Sequence, residues 1–424
     1  MNRSYPLALL AFLLILLGLL TLQAGIAALA LPLLVYLLAG FWRAPETVEL
    51  QATRAMSAER ILTGDEVGVT LTVTNRGAAL EEVWVEDQLP AGLEVADGQA
   101  RHVCALAAGA SASWSYRLRG KRGYFGLKHV RIRVLDSLGL VRLESSLDTD
   151  GQLFILPPVL RLGRVAIQPR RTRVFSGSIP ARQGGSGVEF FDVRDYQQGD
   201  SPRWINWRIT ARQQQAVFTN QFEQERAADV GLILDGRHRT NDFGECSLFE
   251  HSILAIAALS DSFLNSGNRV GLLFYGKQVH WTLPGYGRIQ SERILHDLSR
   301  LEAGDSLNFN ELYIPRHVFP SHSQLVLVSP LVSDDFETLA ALRARGYPLL
   351  VISPDPVAFE MAALPETSIF RQAHRIVRMQ RLLLLQRLRG TGIQVVDWDV
   401  SVPFEQVARR ELDRRQVRSR GVLE

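Results

Sequence analysis

The first 43 residues constrain this chain most. Pro6–Leu22 and Ala24–Trp42 carry no charge and are almost wholly apolar, with Gln23 as the one strongly polar break between them. Each run approaches the roughly 20 residues that carry a helix across a hydrocarbon core. A break that short leaves room only for a tight hairpin. Arg3 precedes the first run and Arg43 closes the second. Positive charge on both outer flanks places both ends, and everything that follows, on the cytoplasmic side. The expectation is an N-terminal transmembrane helical hairpin over residues 1–45, two-pass, with both termini and the soluble domains cytoplasmic. The competing reading is a cleaved leader with its cut near Ala28 or Ala30. A leader's apolar core is usually about 7–15 residues long, whereas here a second long run follows at once. Leu382–Leu385, flanked by Arg381 and Arg387, suits a soluble helix.

Over residues 46–160 the apolar period changes to two. Val67, Val69, Leu71 and Val73 alternate with Gly68, Thr70, Thr72 and Thr74, and Trp114, Tyr116 and Leu118 repeat the pattern. Turn signals such as Asn75-Arg76-Gly77 and Leu89-Pro90-Ala91-Gly92 separate the runs. Short alternating strands at this spacing predict an antiparallel β-sandwich, similar to immunoglobulin and fibronectin modules. His102 and Cys104 lie close together on one such strand and read as half-buried side chains, not as a catalytic pair. Residues 161–186, rich in Arg, Gly and Ser, read as a linker. Gly184–Gly187 is no phosphate loop, because no Gly-Lys-Ser/Thr follows.

Residues 187–424 alternate apolar runs with helix-period stretches. Val230–Leu234, Val270–Tyr275, Leu325–Val328, Leu349–Ile352 and Ile393–Val396 read as strands, and Ala216–Glu225 as a separate one. Glu250–Leu264, Ser291–Leu301, Asp335–Arg345, Ile369–Arg389 and Phe404–Arg414 read as helices. The alternation predicts an α/β domain: a mostly parallel sheet with helices on both faces. Asp235 and Asp334 follow two of the buried strands, at the strand ends where such sheets bind ligands. This placement resembles a von Willebrand factor A domain, in which a D-x-S-x-S loop and a later Asp hold Mg²⁺. Here the two Ser positions are Arg237 and Arg239. A guanidinium only donates and cannot ligate a cation. The expectation is a degenerate metal site at Asp235 and Asp334, with Arg237 pairing with one of them in place of the ion.

The densest chemistry lies in Gly187–Arg212. Phe190, Phe191, Tyr196, Trp204 and Trp207 alternate with Arg194, Arg203, Arg208 and Arg212, and with Glu189, Asp192, Asp195 and Asp200. Gly199-Asp200-Ser201-Pro202 reads as a helix start, with Asp200 or Ser201 as cap and Pro202 in the first turn. The order G-x-E-F-x-x-x-R-x-Y-x-x-G-D-x-x-R-x-I-N-W-x-x-T-A-R resembles the signature of the bacterial domain of unknown function 58 family. Glu189, Phe190, Arg194, Tyr196, Gly199, Asp200, Arg203, Asn206, Trp207 and Arg212 fall on it. The tract Arg122–Leu127, then Asp136-Ser137-Leu138-Gly139, extends the likeness, with Ser137 where the family pattern has Pro. That resemblance implies a protein of the bacterial inner membrane and a MoxR-type AAA+ ATPase as partner. The implied role is an adaptor or scaffold in chaperone-like assembly or envelope maintenance, with no catalytic residues and no cofactor. Two other classes compete: an envelope hydrolase using the acidic cluster Glu189–Asp200, and a divalent-cation-dependent adhesion module. Arg194, Asp200, Arg203, Trp207 and Arg212 are expected to form one network joining the linker to the α/β domain.

Composition excludes several classes. The net charge of +3 on 424 residues is no nucleic-acid footprint, and no nucleic-acid motif accompanies it. Cys104 and Cys246 have no ligand spacing, and Cys246 and His251 lack a third orienting group.

Overall fold

The structure is a computed structural model. It describes residues 4–43, 48–135, 142–163, 165, 167, 172–213, 216–243, 246–305, 314–363 and 368–413. The chain forms two units, Met1–Leu156 and Pro157–Glu424.

The first unit opens with helices α1 (Ser4–Thr21), α2 (Ala24–Ala28) and α3 (Ala30–Arg43). At the turn Leu22 takes a left-handed conformation, φ 51°, and Gln23 N donates to Gly18 O at 3.1 Å, closing α1 as helices commonly close. A Cβ on Gly18 would lie 2.7 Å from Ala27 N, so α1 and α2 touch backbone to backbone there. Small residues, Ala11 and Ala30, are buried in this hairpin, while Leu9, Leu10, Phe12, Leu13, Leu16, Leu17, Leu19 and Leu20 face outward. The two continuous spans expected from sequence are shorter. α1 has 18 residues, a rise of about 27 Å against a hydrocarbon core of about 30 Å. The second run is broken at Leu29. Among the described residues, no helix is long and apolar enough to cross a membrane.

The remainder of this unit is all-β. Its strands are β1 (Leu50–Met56), β2 (Arg60–Leu62), β3 (Val67–Asn75), β4 (Leu80–Asp87), β5 (Leu93–Asp97), β6 (Arg101–Leu106), β7 (Ser111–Gly120), β8 (Gly123–Gly126), β9 (His129–Leu135), β10 (Arg142–Asp148) and β11 (Gln152–Leu156). They form sheets ordered β1-β3-β7-β5, β10-β9-β4-β6 and β2-β11-β8. Leu71 and Val73 of β3 pack against Val83, Val85, Ile132 and Val134 across the first two sheets. Val67, Val69, Tyr116 and Leu118 pack against Leu153 and Ile155 of the third. The alternation in β3 is thus fully used: every second residue is buried. One polar group in this core escapes sequence reading. Arg54 and Asp87 are fully buried and paired, Nη2 to Oδ1 at 2.5 Å and Nε to Oδ2 at 3.1 Å. Tyr116 donates its hydroxyl to Asp87 and Arg54 donates to Leu127 O. Burial, then the adjacent Asp87 carboxylate, pushes the Tyr116 hydroxyl far up.

The second unit runs β12 (Thr172–Asp195), α4 (Trp207–Thr210), β13 (Phe218–Asp235), α5 (His238–Asn241), β14 (Asp242–Phe243), β15 (Cys246–Ser247), α6 (Phe249–Asn265), β16 (Arg269–Tyr275), β17 (Val279–Gly285), α7 (Gly287–Arg300), β18 (Gln324–Val328), α8 (Asp335–Ala344), β19 (Leu349–Pro354), α9 (Pro356–Ala363), α10 (Ser368–Gly390), β20 (Gln394–Trp398) and α11 (Phe404–Ala408). The main sheet is ordered β17-β16-β13-β18-β19-β20, parallel except for the antiparallel edge β17. Helices cover both faces. Ile253 and Leu259 of α6, Ile294 of α7 and Phe404 of α11 pack on Val230, Leu232 and Leu234. Leu339 of α8 and Leu385 and Leu388 of α10 pack on the opposite face with Ile233, Leu327 and Val351.

Two sequence expectations fail here. Residues Thr172–Ser186 of the expected linker are strand, part of β12, which pairs antiparallel with β13 from Ala228 back to Phe218. Its glycines Gly184 and Gly185 border register shifts, as glycines in strands do at bulges. The strand expected over Ala216–Glu225 and the one over Val230–Leu234 are a single strand, β13. Its first part belongs to the β12 ribbon and its last seven residues, Asp229–Asp235, form the centre of the main sheet.

Candidate functional site

The signature occupies the tip of the β12–β13 ribbon, from the end of β12 at Asp195 to the start of β13 at Phe218. Its polar members build the turn. Arg194 meets Asp200 fork to fork, Nη2 to Oδ1 at 2.7 Å and Nη1 to Oδ2 at 2.8 Å, the bidentate geometry that guanidinium and carboxylate favour. Asp200 also accepts from Gln197 N at 2.9 Å. The Arg194 guanidinium, then the Gln197 amide, hold the Asp200 carboxyl below its usual range. Gly199 sits at φ +114°, a conformation closed to ordinary residues without strain, and Tyr196 donates its hydroxyl to Asp200 O at 3.2 Å.

The expected helix start is not a helix start. Pro202–Trp204 is a single 3₁₀ turn preceded by Ser201 without a side-chain cap bond. The capping residue is Asn206, whose Oδ1 accepts from Ile209 N at 3.1 Å at the head of α4, while its Nδ2 donates to Asn220 at 2.8 Å. Thr210 Oγ1 accepts from Phe218 N at 3.0 Å. Gly199, Asp200, Asn206 and Thr210 are therefore turn-building residues.

The large members of the motif face solvent. Trp207 is 68% exposed and Phe190 60%; Tyr196 and Trp204 are exposed too, as are Arg203, Arg208 and Arg212. Of the network expected of Arg194, Asp200, Arg203, Trp207 and Arg212, the described residues show the Arg194–Asp200 pair, while Arg203, Trp207 and Arg212 are exposed. The acidic cluster does not converge. Asp200 is committed to Arg194, Asp192 accepts from Val193 N at 2.8 Å, and Asp192 and Asp195 are exposed. The side chain of Glu189 lies outside the described residues.

The strand ends of the main sheet hold the second candidate. Asp235, at the end of β13, is met by Arg237, which donates Nε to Oδ1 at 2.9 Å and Nη2 to Oδ2 at 2.8 Å. The same guanidinium grips Asp335 through Nη1 at 3.0 Å and Nη2 at 2.8 Å. The three side chains are 0–3% exposed. Ser329 Oγ donates to Asp235 at 2.7 Å and Val332 N to Asp335 at 2.9 Å. Burial would lower the Arg237 pKa, but its two carboxylate partners raise it beyond its ordinary value. The sequence singles out Asp334; the structure uses its neighbour. Asp334 is exposed ahead of α8, and Asp335, the first residue of that helix, turns inward. The side chain of Arg239 lies outside the described residues. A guanidinium thus stands between the two carboxylates where the resemblance would put a cation, and among the described residues no group of three or more ligands suits a metal.

A second buried arginine closes the neighbouring strand ends. Arg381 of α10 donates to Pro330 O at 2.9 Å, to Ser353 Oγ at 3.0 Å and to Asp397 at 2.6 Å, with Asp355 3.2 Å from its Nε. The crevice where parallel sheets take ligands is filled by Arg237 and Arg381. No sequence pattern pointed to Arg381, one arginine among six in its helix.

A cavity of about 370 Å³ lies between β17 and α7. Its charged groups pair with one another: Lys277 with Glu302 at 2.9 Å and His280 with Asp297 at 3.5 Å. Burial pulls the Asp297 carboxyl up, but bonds from His280 and from Thr282 at 2.5 Å outweigh it and lower the pKa. The Cys104–His102 pairing fails. Burial raises the Cys104 pKa, which keeps a thiol unreactive, and His102 stacks on Trp114 at 4.8 Å. His251 lies edge-on to Phe359 and Trp398; the side chain of Cys246 lies outside the described residues.

Residues 192–361 match the family described as Protein of unknown function DUF58. YeaD of Bacillus subtilis, described as uncharacterized, is 31% identical over 233 residues, 54% of this chain and 56% of that one. An uncharacterized protein of Mycobacterium tuberculosis strain H37Rv is 30% identical over 120 residues, 28% of this chain and 37% of that one. The chain therefore spans about half the length of the Bacillus relative (56%) and less of the mycobacterial one (37%). Among solved structures, the CARDB domain of a Pyrococcus furiosus protein, in complex with di-metal ions, aligns over 26% of this chain and 94% of that one, at TM-score 0.19 and 12% identity.

Proposed function

We propose that this chain is a membrane-anchored adaptor or scaffold whose ribbon tip docks a partner protein, a MoxR-type AAA+ ATPase. One observation carries the reading. The tip holds Trp207 in solvent, with Trp204 and Tyr196 partly exposed, beside Arg203, Arg208 and Arg212, on a turn fixed by Arg194–Asp200 and Asn206, and Phe190 stands exposed on the adjoining strand. Trp, Tyr and Arg dominate binding hot spots, and a rigid turn presents them at low ordering cost. Among the described side chains the acidic cluster of the hydrolase reading shows no converged carboxylate pair, and the cation-dependent adhesion reading meets Arg237 at the cation's place. The main sheet's order and its antiparallel edge support a von Willebrand factor A-like domain, here with an arginine in the cation's role.

The anchor is the N-terminal hairpin. Leucine outside and alanine or glycine inside is the arrangement of helices packed in lipid, and slight shortness is absorbed by local thinning of the bilayer. The membrane is the bacterial inner membrane, with the soluble domains cytoplasmic.

The test is capture from solubilised membranes, with and without ATP, by the full chain and by the R203A/W207A double variant. Both side chains are exposed, so the melting temperature should stay within the spread of ordinary surface changes, about 0.5 kcal/mol. Capture of the ATPase should fall at least about 30-fold, the effect of losing one hot spot of about 2 kcal/mol. Equal capture by the two proteins, or no ATPase in either eluate, refutes the proposal.

A further inference from the structure

Helix α10 is half in the fold and half out of it. From Leu384 onward its inner face is covered: Leu385 and Leu388 are buried against the sheet. Over Arg371–Gln380 nine of ten residues are exposed, His374 being the half-buried exception. Ile376, Met379 and Leu383 are 61%, 66% and 55% exposed. Their spacing of three and four puts them on one stripe of the helix. Leu385 and Leu388 lie on the opposite side, so the stripe points away from the domain. Arg371, Arg375 and Arg378 follow the same spacing along one flank of the stripe. From Ser368 to Gly390 the helix has six arginines and no Asp or Glu. A protruding helix of this length gains little from propensity alone, and an apolar stripe in water is unfavourable.

We propose that the outer half of α10 lies in the headgroup plane of an anionic membrane, with Ile376, Met379 and Leu383 in the acyl boundary and Arg371, Arg375 and Arg378 on acidic lipid headgroups. Amphipathic helices with arginine on the polar flank bind in this way. An acid-free helix matches the continuous negative charge of a cytoplasmic leaflet. The proposal deepens the membrane-anchored reading and rests on it. Docking to a membrane at a second point would hold the α/β unit beside the bilayer instead of at the end of a tether.

The test uses the full chain with vesicles of phosphatidylcholine alone and of phosphatidylcholine with phosphatidylglycerol. Flotation with the neutral vesicles reads the hairpin anchor. Amide hydrogen exchange over residues 371–383 reads the helix. Exchange should slow about tenfold or more in the anionic vesicles, the effect of three arginines at a charged surface. The protection should disappear in R375E/R378E and in M379E. Because these residues are exposed, exchange elsewhere should be unchanged. Equal exchange in the two vesicle types overturns the proposal. So does protection that appears only when a membrane protein fraction is added, which would assign the stripe to a protein partner. A chain that floats with neutral vesicles but shows no lipid-dependent protection sinks this inference and leaves the anchor standing. One that binds and is protected only on anionic vesicles sinks the anchor and keeps the helix. One that binds neither sinks both.

Discussion

Replacing Arg237 with alanine leaves Asp235 and Asp335 facing each other without a countercharge. The two carboxylates are 0% and 3% exposed and the guanidinium 2%, so water cannot take its place without opening the core. Removing one member of a buried ion cluster costs about 3–5 kcal/mol, because the remaining charges stay desolvated and unpaired. For a unit of this size each kcal/mol moves the midpoint by about 2 °C, so the α/β transition should fall by roughly 6–10 °C. Calorimetry of the full chain in detergent reads this directly. The triple variant D235N/R237M/D335N removes every charge at once and should recover most of the loss, as buried ion clusters replaced by neutral side chains of similar volume commonly do. Mg²⁺ should leave the wild-type midpoint unmoved, because the guanidinium occupies the space between the carboxylates. A midpoint for Arg237→Ala within about 1 °C of wild type, under about 0.5 kcal/mol, would refute the reasoning. So would a triple variant no more stable than the single one.

Three further outcomes follow from the same structure. Asp87→Ala should destabilise the β unit by about 3–5 kcal/mol, since Arg54 and Tyr116 lose their buried acceptor together; limited proteolysis at residues 48–156 should accelerate while the α/β unit resists. Asp297 has a lowered folded-state pKa, so its contribution is present above the unfolded-state value and lost as pH falls through the folded one. The stability gap between wild type and Asp297→Asn, read by denaturant titration, should therefore close on acidification, and a gap that widens in acid would contradict the His280 and Thr282 assignment. A C-terminal reporter active only outside the cytoplasm should stay silent, whereas strong activity or a mature N-terminus near Ala28 would overturn the hairpin topology.

The elements of the main sheet were legible because periodicity and burial agree there. Val230–Leu234 and Leu325–Val328 are buried on both faces and read as unbroken apolar runs. The covered side of α7, with Gln290, Ile294 and Leu298 buried, repeats at helical spacing. The ribbon was not legible for the opposite reason. Thr172–Ser186 has no apolar alternation, and its strand backbone comes from pairing with Phe222–Ala228, a partner tens of residues away. Composition reports what a segment can bury, not which distant strand will supply its hydrogen bonds. The choice of Asp334 over Asp335 failed on the phase of one helix start: the residue that turns inward is set by where α8 begins, and a run of two aspartates does not show that.

The aromatics of the signature differ from expectation for another reason. Large apolar side chains such as Phe190, Trp204 and Trp207 usually leave water. Whether they can do so depends on a covering layer, and the tip of a two-stranded ribbon has none. The polar residues around them are committed to holding the turn: Asp200 to Arg194, Asn206 to Ile209 and Asn220, Thr210 to Phe218. A loop whose hydrogen-bonding groups are used internally, while its tryptophans and three arginines stay outside, is built to present those side chains. At the strand ends of the sheet the arrangement is reversed. There Arg237 and Arg381 fill the crevice from within, and the carboxylates that would face a ligand are satisfied by the protein itself. Replacing Trp207 and Arg203 by alanine should therefore separate partner capture from stability, whereas Arg237→Ala alone should lower stability and leave capture to follow it.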